Sequence, residues 1–382
     1  MVAATRPVIR RHLLPRHLHP FAWWGYALGI AVAASNTSNP LLLLALIAVV
    51  SLVTFSRRGA NPWARSFTLY LMLAAFVVAG RIMFRLLFGG GDGHTIMFVL
   101  PEIPLPAWVQ GIRLLGPVSL ESVLAGLYDG ARLATVIVCF GAANALANPR
   151  KLLASMPAAL YELSTVLIVA VSALPQLGES LQRVMRARRL RIRPSGGGRR
   201  ERVRVVETII VPVLSDALER SLSLAASMDA RGYGRSGTAT PRDRAISFGL
   251  AALGTALLGG WAYRYLSDAR DVAFLHVPLL STALLVAGLT IILAALRIAG
   301  RPVHRTRYRP IRWGLPETVA LACGAVPAAV IAWIAAFGDA AVLFPSVNPF
   351  QWPVLTAPLV AVLVIAALPA LLTPPPNLAR SA

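Results

Sequence analysis

Long apolar segments separated by arginine-rich segments dominate the chain. Eight of the apolar segments come close to the roughly 20 residues that a helix needs to cross the hydrocarbon core of a bilayer. They lie at about 21–36, 40–56, 67–88, 119–147, 245–266, 273–297, 315–338 and 353–373. The runs are continuous and do not alternate with polar residues, so they indicate helices. The pattern predicts an all-α, polytopic membrane protein with about eight transmembrane helices.

The arginines orient these spans, because short cytoplasmic loops of membrane proteins carry an excess of positive charge. With the N-terminal tail inside, the basic loops at 57–65 and 297–312 also fall inside, and the Pro- and Gly-rich loop at 89–118 falls outside. A ninth apolar run, at 152–177, would expose the arginine-rich segment 179–244 on the outside if it crossed. We therefore expect this run to lie along the cytoplasmic interface and both termini to be cytoplasmic.

The same pattern divides the chain into regions. They are a cytoplasmic tail at 1–20, N-terminal transmembrane helices at 21–147, a cytoplasmic insert at 148–244, one span at 245–266 and a C-terminal extension with about three further spans at 267–382. Pro175 and the Gly-rich segment at 193–202 are breaks within the insert. The insert is therefore predicted to contain three helices, at about 152–177, 176–192 and 202–231.

The third helix of the insert is amphipathic. Ile210, Leu214, Leu218 and Leu222 recur at a spacing of four residues, which places them on one stripe of a helix. Asp216 lies elsewhere on the surface, where it can pair with the arginine one turn later.

Two helix ends in the insert carry a small residue beside arginine, at Ala230-Arg231-Gly232 and at Ala187-Arg188-Arg189. A cation favours the negative end of the helix dipole, and glycine readily adopts the left-handed conformation that closes a helix. One interpretation is that these residues only cap their helices. The other is that each forms a narrow cationic tip, which enters a groove on another protein and donates hydrogen bonds to a carboxylate or to backbone carbonyls.

Composition and charge exclude several classes of function. The net charge of +21 comes from arginines that cluster between apolar runs, which fits membrane topology and not nucleic-acid binding. Cys139 and Cys323 both lie in apolar runs, so they predict neither a disulfide framework nor a cysteine metal site. Asp92 and His94 lack a third ligand nearby, so we predict no metal site. The chain has no P-loop sequence, so any ATP hydrolysis must come from a partner.

Several stretches resemble the transmembrane T component of energy-coupling factor (ECF) transporters, the EcfT or CbiQ family. The resemblance covers about residues 17 to 265 and is most specific at its end. Its stretches are LHP before the first span, SNPLLLLALIAVVSLVTF in the second, Leu174-Pro175 followed by Glu179, RVMRARRL at 183–190 and VPVLSDALERSLSLAASMDARGYG at 211–234.

The resemblance implies a non-catalytic subunit that binds no cofactor itself. In this family, two Ala-Arg-Gly motifs on cytoplasmic coupling helices dock on two ABC ATPase subunits, which bind ATP and magnesium. Their motion is transmitted to a small membrane subunit that captures the substrate. Carried over by position, the motifs are Ala187, Arg188 and Arg189, and Ala230, Arg231 and Gly232. The resemblance thus implies a multi-pass protein in the plasma membrane of a prokaryote, taking part in uptake of a vitamin or a transition-metal ion.

The sequence departs from the family pattern in two places. Arg189 stands where the family has glycine, and arginine adopts the left-handed conformation less readily. The chain also continues beyond the span that usually ends the family, and we expect residues 273–382 to add membrane-embedded scaffold. The substrate, and whether one capturing subunit or several share this component, stay open.

Two other functions compete with this interpretation. Residues 129–132, Asp-Gly-Ala-Arg, match part of the signature of phospholipid-forming alcohol phosphotransferases. That chemistry requires further aspartates one to two turns later to hold a divalent metal, and 135–149 contains none. A self-contained secondary transporter would be expected to show ionisable residues within its spans and two similar halves. Arg81 and Arg85 lie near the end of a span, and the insert interrupts any symmetry.

Overall fold

The chain forms two compact units. The computed structural model describes residues 16, 18–59, 66–88, 93, 95–101, 115–191, 199–233, 240–267, 273–274, 277–301 and 313–375. One unit comprises Met1–Leu152 together with Arg309–Ala382, and the other comprises Leu153–Tyr308. The end of the chain therefore belongs to the same unit as the N-terminal helices, and the region 267–382 is divided between the two units.

Helices account for nearly all of the secondary structure. The first elements are α1 (Pro20–Ser35), α2 (Pro40–Arg57), α3 (Phe67–Phe88), β1 (Ile96–Val99), β2 (Pro117–Ser119), α4 (Leu120–Leu146) and α5 (Pro149–Ala154). A 3-10 turn at Ala158–Leu160 is followed by α6 (Tyr161–Arg191), α7 (Arg199–Ala230), α8 (Pro241–Leu266), β3 (Ala273–Phe274), β4 (Val277–Pro278), α9 (Leu279–Ala299), α10 (Leu315–Phe337), α11 (Ala340–Leu343), α12 (Ala357–Ala367) and α13 (Pro369–Leu372). The strands form two short antiparallel pairs, β1 with β2 and β3 with β4.

Local sequence explains where several helices begin. The side chain of Asn39 accepts hydrogen bonds from the backbone N–H groups of Leu41 and Leu42, and Pro40 occupies the first helical position of α2. Thr240 and Pro241 open α8 in the same way. The first backbone N–H groups of a helix have no acceptor inside it, and a polar cap side chain accepts hydrogen bonds from them. Proline at the first helical position has no N–H and therefore needs no acceptor. These boundaries follow from the sequence.

The fold class is confirmed, with two changes among the spans. Seven helical segments in the described part of the chain are long and apolar enough to cross a membrane. They are Pro40–Arg57, Phe67–Phe88, Leu120–Leu146, Ala158–Arg188, Pro241–Arg264, Leu280–Ala299 and Leu315–Phe337. The predicted first and last spans are shorter, since α1 has 16 residues, or about 24 Å, and the last apolar helical segment is Ala357–Leu372.

The insert contains two long helices where three were predicted. The prediction of a helix boundary at Pro175 is wrong, because Pro175 lies inside α6, which runs without interruption from Tyr161 to Arg191. Proline in a helix costs about 3 kcal/mol, a cost that a long segment of good helix formers on both sides can offset. The apolar half of α6 includes most of the run at 152–177, and by length and composition it can cross a membrane. Its location along the interface stays a prediction.

In the first unit, the last helices pack directly on the first ones. α10 crosses α1 so closely that a Cβ atom on Gly29 would lie 2.3 Å from the backbone carbonyl of Gly324. The hydroxyl of Tyr26 donates a 2.9 Å hydrogen bond to the carbonyl of Ala366. Small residues that allow close backbone approach are typical of helix contacts in membranes. Residues after 309 are thus an integral part of this unit.

An ion pair fixes the start of α10 to the segment before α1. The guanidinium of Arg16 donates a 2.9 Å hydrogen bond to Oε2 of Glu317, whose side chain is fully buried. The same oxygen accepts a 3.0 Å hydrogen bond from the backbone N–H of Gly314, the N-cap residue, which is one half of a capping box at the N-terminus of α10. A buried carboxylate is tolerated only when it is paired and hydrogen-bonded.

In the second unit, α8 packs on α9 and α6 packs on α7. The first contact also depends on glycine, because Cβ atoms on Gly254 and Gly288 would each lie 3.1 Å from the other residue's carbonyl oxygen. The pair formed by α6 and α7 contains both arginine motifs.

Candidate functional site

The Ala230-Arg231-Gly232 motif forms a well-defined helix end. Gly232 adopts a left-handed conformation with φ of 75°. Its N–H donates to the carbonyl of Asp229, at 2.9 Å, and the N–H of Tyr233 donates to that of Met228, at 3.0 Å. These two bonds define the Schellman motif, in which a glycine after the helix satisfies the last carbonyls. The prediction that Gly232 closes the third helix of the insert is confirmed.

This helix end presents an unpaired cation. Ala230 and Arg231 are exposed, and a Cβ atom on Gly232 would meet nothing within 4 Å. The guanidinium of Arg231 has no hydrogen-bond or ion-pair partner among the described residues. Arginine in this position can present its N–H groups bidentately to an acidic group outside the chain. The end of α7 is therefore closed by glycine and exposes a cation.

The Ala187-Arg188-Arg189 motif has a different backbone. The predicted end of this helix near residue 192 is confirmed, since α6 continues through Arg189 and ends at Arg191, so the motif lies inside the last turns of the helix. Arginine is a good helix former and does not favour the left-handed conformation that glycine would adopt at this position. Ala187 is exposed, whereas Arg188 is half-buried and its Nε is buried without a hydrogen-bond partner in the described residues. The two motifs are therefore structurally unequal.

Asp216 ties α6 to α7. The Ser180 hydroxyl on α6 donates a 2.5 Å hydrogen bond to Oδ2 of Asp216, and Arg220 pairs with the same carboxylate at 3.1 Å. The hydrogen bond from Ser180 is the main cause that lowers the pKa of Asp216, and Arg220 and Arg183 lower it further, against desolvation. The predicted pair between Asp216 and the arginine one turn later is confirmed. The sequence did not predict the link to Ser180, because nothing in it indicates which helices face each other.

This contact separates the two motifs. Along the helix axes, Arg188 lies about 12 Å beyond Ser180, and Arg231 lies about 22 Å beyond Asp216. The chain returns from α6 to α7 through residues 192–198, which span at most about 28 Å. The start of α7 must therefore lie on the same side of the contact as Arg188, and Arg231 on the opposite side.

The Asp216 contact should depend on pH. Because the folded pKa lies below the ordinary value of 3.8, the contact is fully stabilising above pH 3.8 and is lost as the pH falls through the lowered pKa. Spin labels at Gln182→Cys and Glu219→Cys should give a narrow distance distribution at pH 7 that broadens once the pH falls below the lowered pKa of Asp216. With Asp216→Ala the distribution should be broad at both pH values. A similar change with Glu207→Ala, another carboxylate on α7, would contradict this role.

The apolar stripe of α7 is more exposed than buried within the described chain. Ile210, Leu214, Leu218 and Leu222 lie on one side of the helix, as predicted, and their side chains are 51–70% exposed. An exposed stripe of this length is typical of a surface that another protein or the membrane covers. The helix that ends at Arg231 therefore offers two features to partners, a cationic tip and an apolar side.

Comparison with known proteins identifies the family. The CbiQ family model, described as a cobalt transport protein, matches residues 16–240, which is more than half of the chain. The chain belongs to the CbiQ family. The match includes both arginine motifs of this CbiQ-family protein and all of α1 to α7, and α8 to α13 follow it. The family resemblance inferred from the motifs is confirmed.

Individual relatives agree with this assignment. The energy-coupling factor transporter transmembrane protein EcfT of Leuconostoc gelidum subsp. gasicomitatum is 27% identical over 202 residues, which cover 48% of this chain and 75% of that protein. The EcfT protein of Bacillus subtilis is 30% identical over 213 residues, covering 53% and 73%. That of Exiguobacterium sibiricum is 31% identical over 107 residues, covering 26% and 41%.

The residues that suggested an alcohol phosphotransferase make structural contacts instead. Asp129 lies 3.4 Å from the guanidinium of Arg85 on α3, and Arg132 donates a hydrogen bond to the carbonyl of Ser35 at the end of α1. Both side chains thus connect α4 to a neighbouring helix. Asp92 and His94 lie outside the described residues.

Proposed function

We propose that this chain is the energy-coupling transmembrane component of an ECF-type ABC importer. It transmits motion of two cytoplasmic ABC ATPase subunits to a small membrane subunit that captures the substrate, a vitamin or a transition-metal ion. ATP and magnesium bind to the ATPases, and the chain itself makes no covalent chemistry. The observation that carries the proposal is the exposed Arg231, which has no ion-pair or hydrogen-bond partner among the described residues, at the glycine-closed end of α7 in a protein of the CbiQ family.

The mechanism is mechanical. Closing of the two ATPases moves the helix segments at Arg188 and Arg231, which lie on opposite sides of the contact between Ser180 and Asp216. The hydrogen bond from Ser180 to Asp216 joins α6 and α7, so a displacement of one end is passed to the other helix. The exposed apolar stripe of α7 provides a surface to which the capturing subunit can bind, so that it moves together with α7. We place the protein in the plasma membrane of a prokaryote, with both termini in the cytoplasm.

The experiment is an affinity purification of the detergent-solubilised protein from its native membrane. The wild type should retain two ABC ATPases, and the double variant Arg188→Glu, Arg231→Glu should lose them. The matched control is Arg186→Glu, Arg242→Glu, which makes the same charge change on α6 and α8 outside the motifs. Absence of ATPases from the wild type, under conditions that preserve other transporter complexes, would overturn the proposal. Equal retention by both double variants would overturn the assignment of the motifs.

A further inference from the structure

The contact between α3 and α4 contains charged groups at a glycine-lined crossing. A Cβ atom on Gly126 would lie 2.9 Å from Cγ of Arg85, and one on Gly130 would lie 3.1 Å from Cα of Val78 and 3.3 Å from Cβ of Arg81. The two glycines are one turn apart on α4. Because neither has a side chain, the aliphatic parts of Arg81 and Arg85 pack directly against the backbone of α4. This close approach holds the arginines at the edge of the crossing.

The charged groups at this edge are exposed and unbalanced. Nη2 of Arg85 lies 3.4 Å from Oδ2 of Asp129, and the two side chains are 43% and 46% exposed. Arg81 is exposed and has no ion-pair or hydrogen-bond partner within the described residues. The three groups, which we call the charged seam, carry two positive charges and one negative charge. The seam therefore carries a net positive charge, which one more carboxylate would neutralise.

The depth of the seam makes its exposure costly in a membrane. Arg81 lies two turns before the end of α3, about 10 Å along the axis, and Asp129 lies about 13 Å from the start of α4. Helical side chains lean toward the N-terminus of their helix, so Arg85 leans away from the end of α3 and toward Asp129. The short Asp129 side chain cannot extend to the membrane surface as a long arginine can. An ion pair at this depth is expected to face protein and not lipid.

The geometry points to a membrane-spanning helix of the substrate-capturing subunit as the partner of the charged seam, with a carboxylate of that helix opposite Arg81. This inference rests on the proposed function, which supplies the capturing subunit. A second copy of this chain would bring two seams of net positive charge together, which is electrostatically unfavourable. The helix α3 is open to such a partner, since only Phe67 and Ala74 in it are buried.

The test uses the complete complex, purified through a tag on an ATPase from cells that produce all subunits. Arg81→Gln should lower the amount of capturing subunit per ATPase by about tenfold or more, and Arg81→Lys should retain it. Arg81→Gln should leave the ratio of this chain to the ATPases unchanged. Phe76→Ala, at an exposed site elsewhere on α3, is the control and should retain every subunit.

A second variant distinguishes a lost contact from a folding defect. If a carboxylate faces Arg81, replacing that aspartate or glutamate by its amide in the capturing subunit should restore binding to Arg81→Gln, because no unpaired charge then remains. Undiminished binding of the capturing subunit by Arg81→Gln overturns the inference and leaves the proposed function intact. Failure of every such amide variant to restore binding also overturns it. Absence of this chain from the wild-type material purified through the ATPase tag contradicts the proposed function itself.

Discussion

Replacement of Arg231 by glutamate is expected to weaken binding of the ATPase subunits by about ten- to hundredfold. Removal of one charge-assisted hydrogen bond costs roughly 1.5–3 kcal/mol, which corresponds to this range in affinity. Arg231 has no partner among the described residues, so the change breaks no described contact inside the chain. The measurement is the dissociation constant of purified ATPases for the detergent-solubilised protein, by biolayer interferometry.

Two control variants separate docking from effects on the helix. Glutamate at the C-terminal end of a helix also opposes the helix dipole, by about 0.3–1 kcal/mol, and Arg231→Gln removes the contact without adding that charge. We expect Arg231→Gln to weaken binding of the ATPases nearly as much as Arg231→Glu does. Arg242→Glu, at an exposed site in the first turn of α8, should bind as the wild type does. An equal loss with Arg242→Glu would mean that net charge, and not the helix tip, determines binding.

The helix ends that depend on local chemistry could be predicted from the sequence. Gly232 closes α7 as expected, because a glycine after an amphipathic segment is the residue that adopts the left-handed conformation without strain. The ion pair between Asp216 and Arg220 is also local, since residues four apart lie on the same side of a helix. Arg189 is the informative exception. The absence of glycine there already indicated a different termination, and α6 does continue past it.

Features that depend on packing between distant segments could not be predicted. A proline can end a helix or lie inside it with one hydrogen bond missing, and Pro175 lies inside α6. Which outcome occurs depends on the stability of the helical segments on both sides, and the proline itself does not indicate that. The hydrogen bond from Ser180 to Asp216 depends on which sides of α6 and α7 meet. The contact of α10 with α1 joins residues almost 300 positions apart, and apolar runs of similar composition carry no information about their partners.

The crossing of α1 and α10 shows how the C-terminal residues contribute to the protein. The region from 241 onward follows the matched part of the family, yet α10 packs against α1 and α12 packs against α2, both within the matched part. Arg16 and Tyr26 each bond to a residue beyond 309. Because helices in lipid gain little from hydrophobic association, such contacts depend on close packing and hydrogen bonds. The stability of the N-terminal helices should therefore depend on the close approach of α10.

We expect Gly29→Ala to destabilise the first unit by more than about 3 kcal/mol, the upper end of the usual range for overpacking. The added methyl carbon would lie 2.3 Å from the carbonyl carbon and oxygen of Gly324, and backbone cannot move aside as the end of a side chain can. The matched control is Gly80→Ala on α3, where a Cβ atom meets nothing within 4 Å. Alanine favours a helix over glycine by up to about 1 kcal/mol, so this control should be neutral or stabilising. Thermal unfolding in detergent, followed by size-exclusion chromatography, measures both variants, and equal midpoints for the two would show that α1 and α10 do not depend on this crossing.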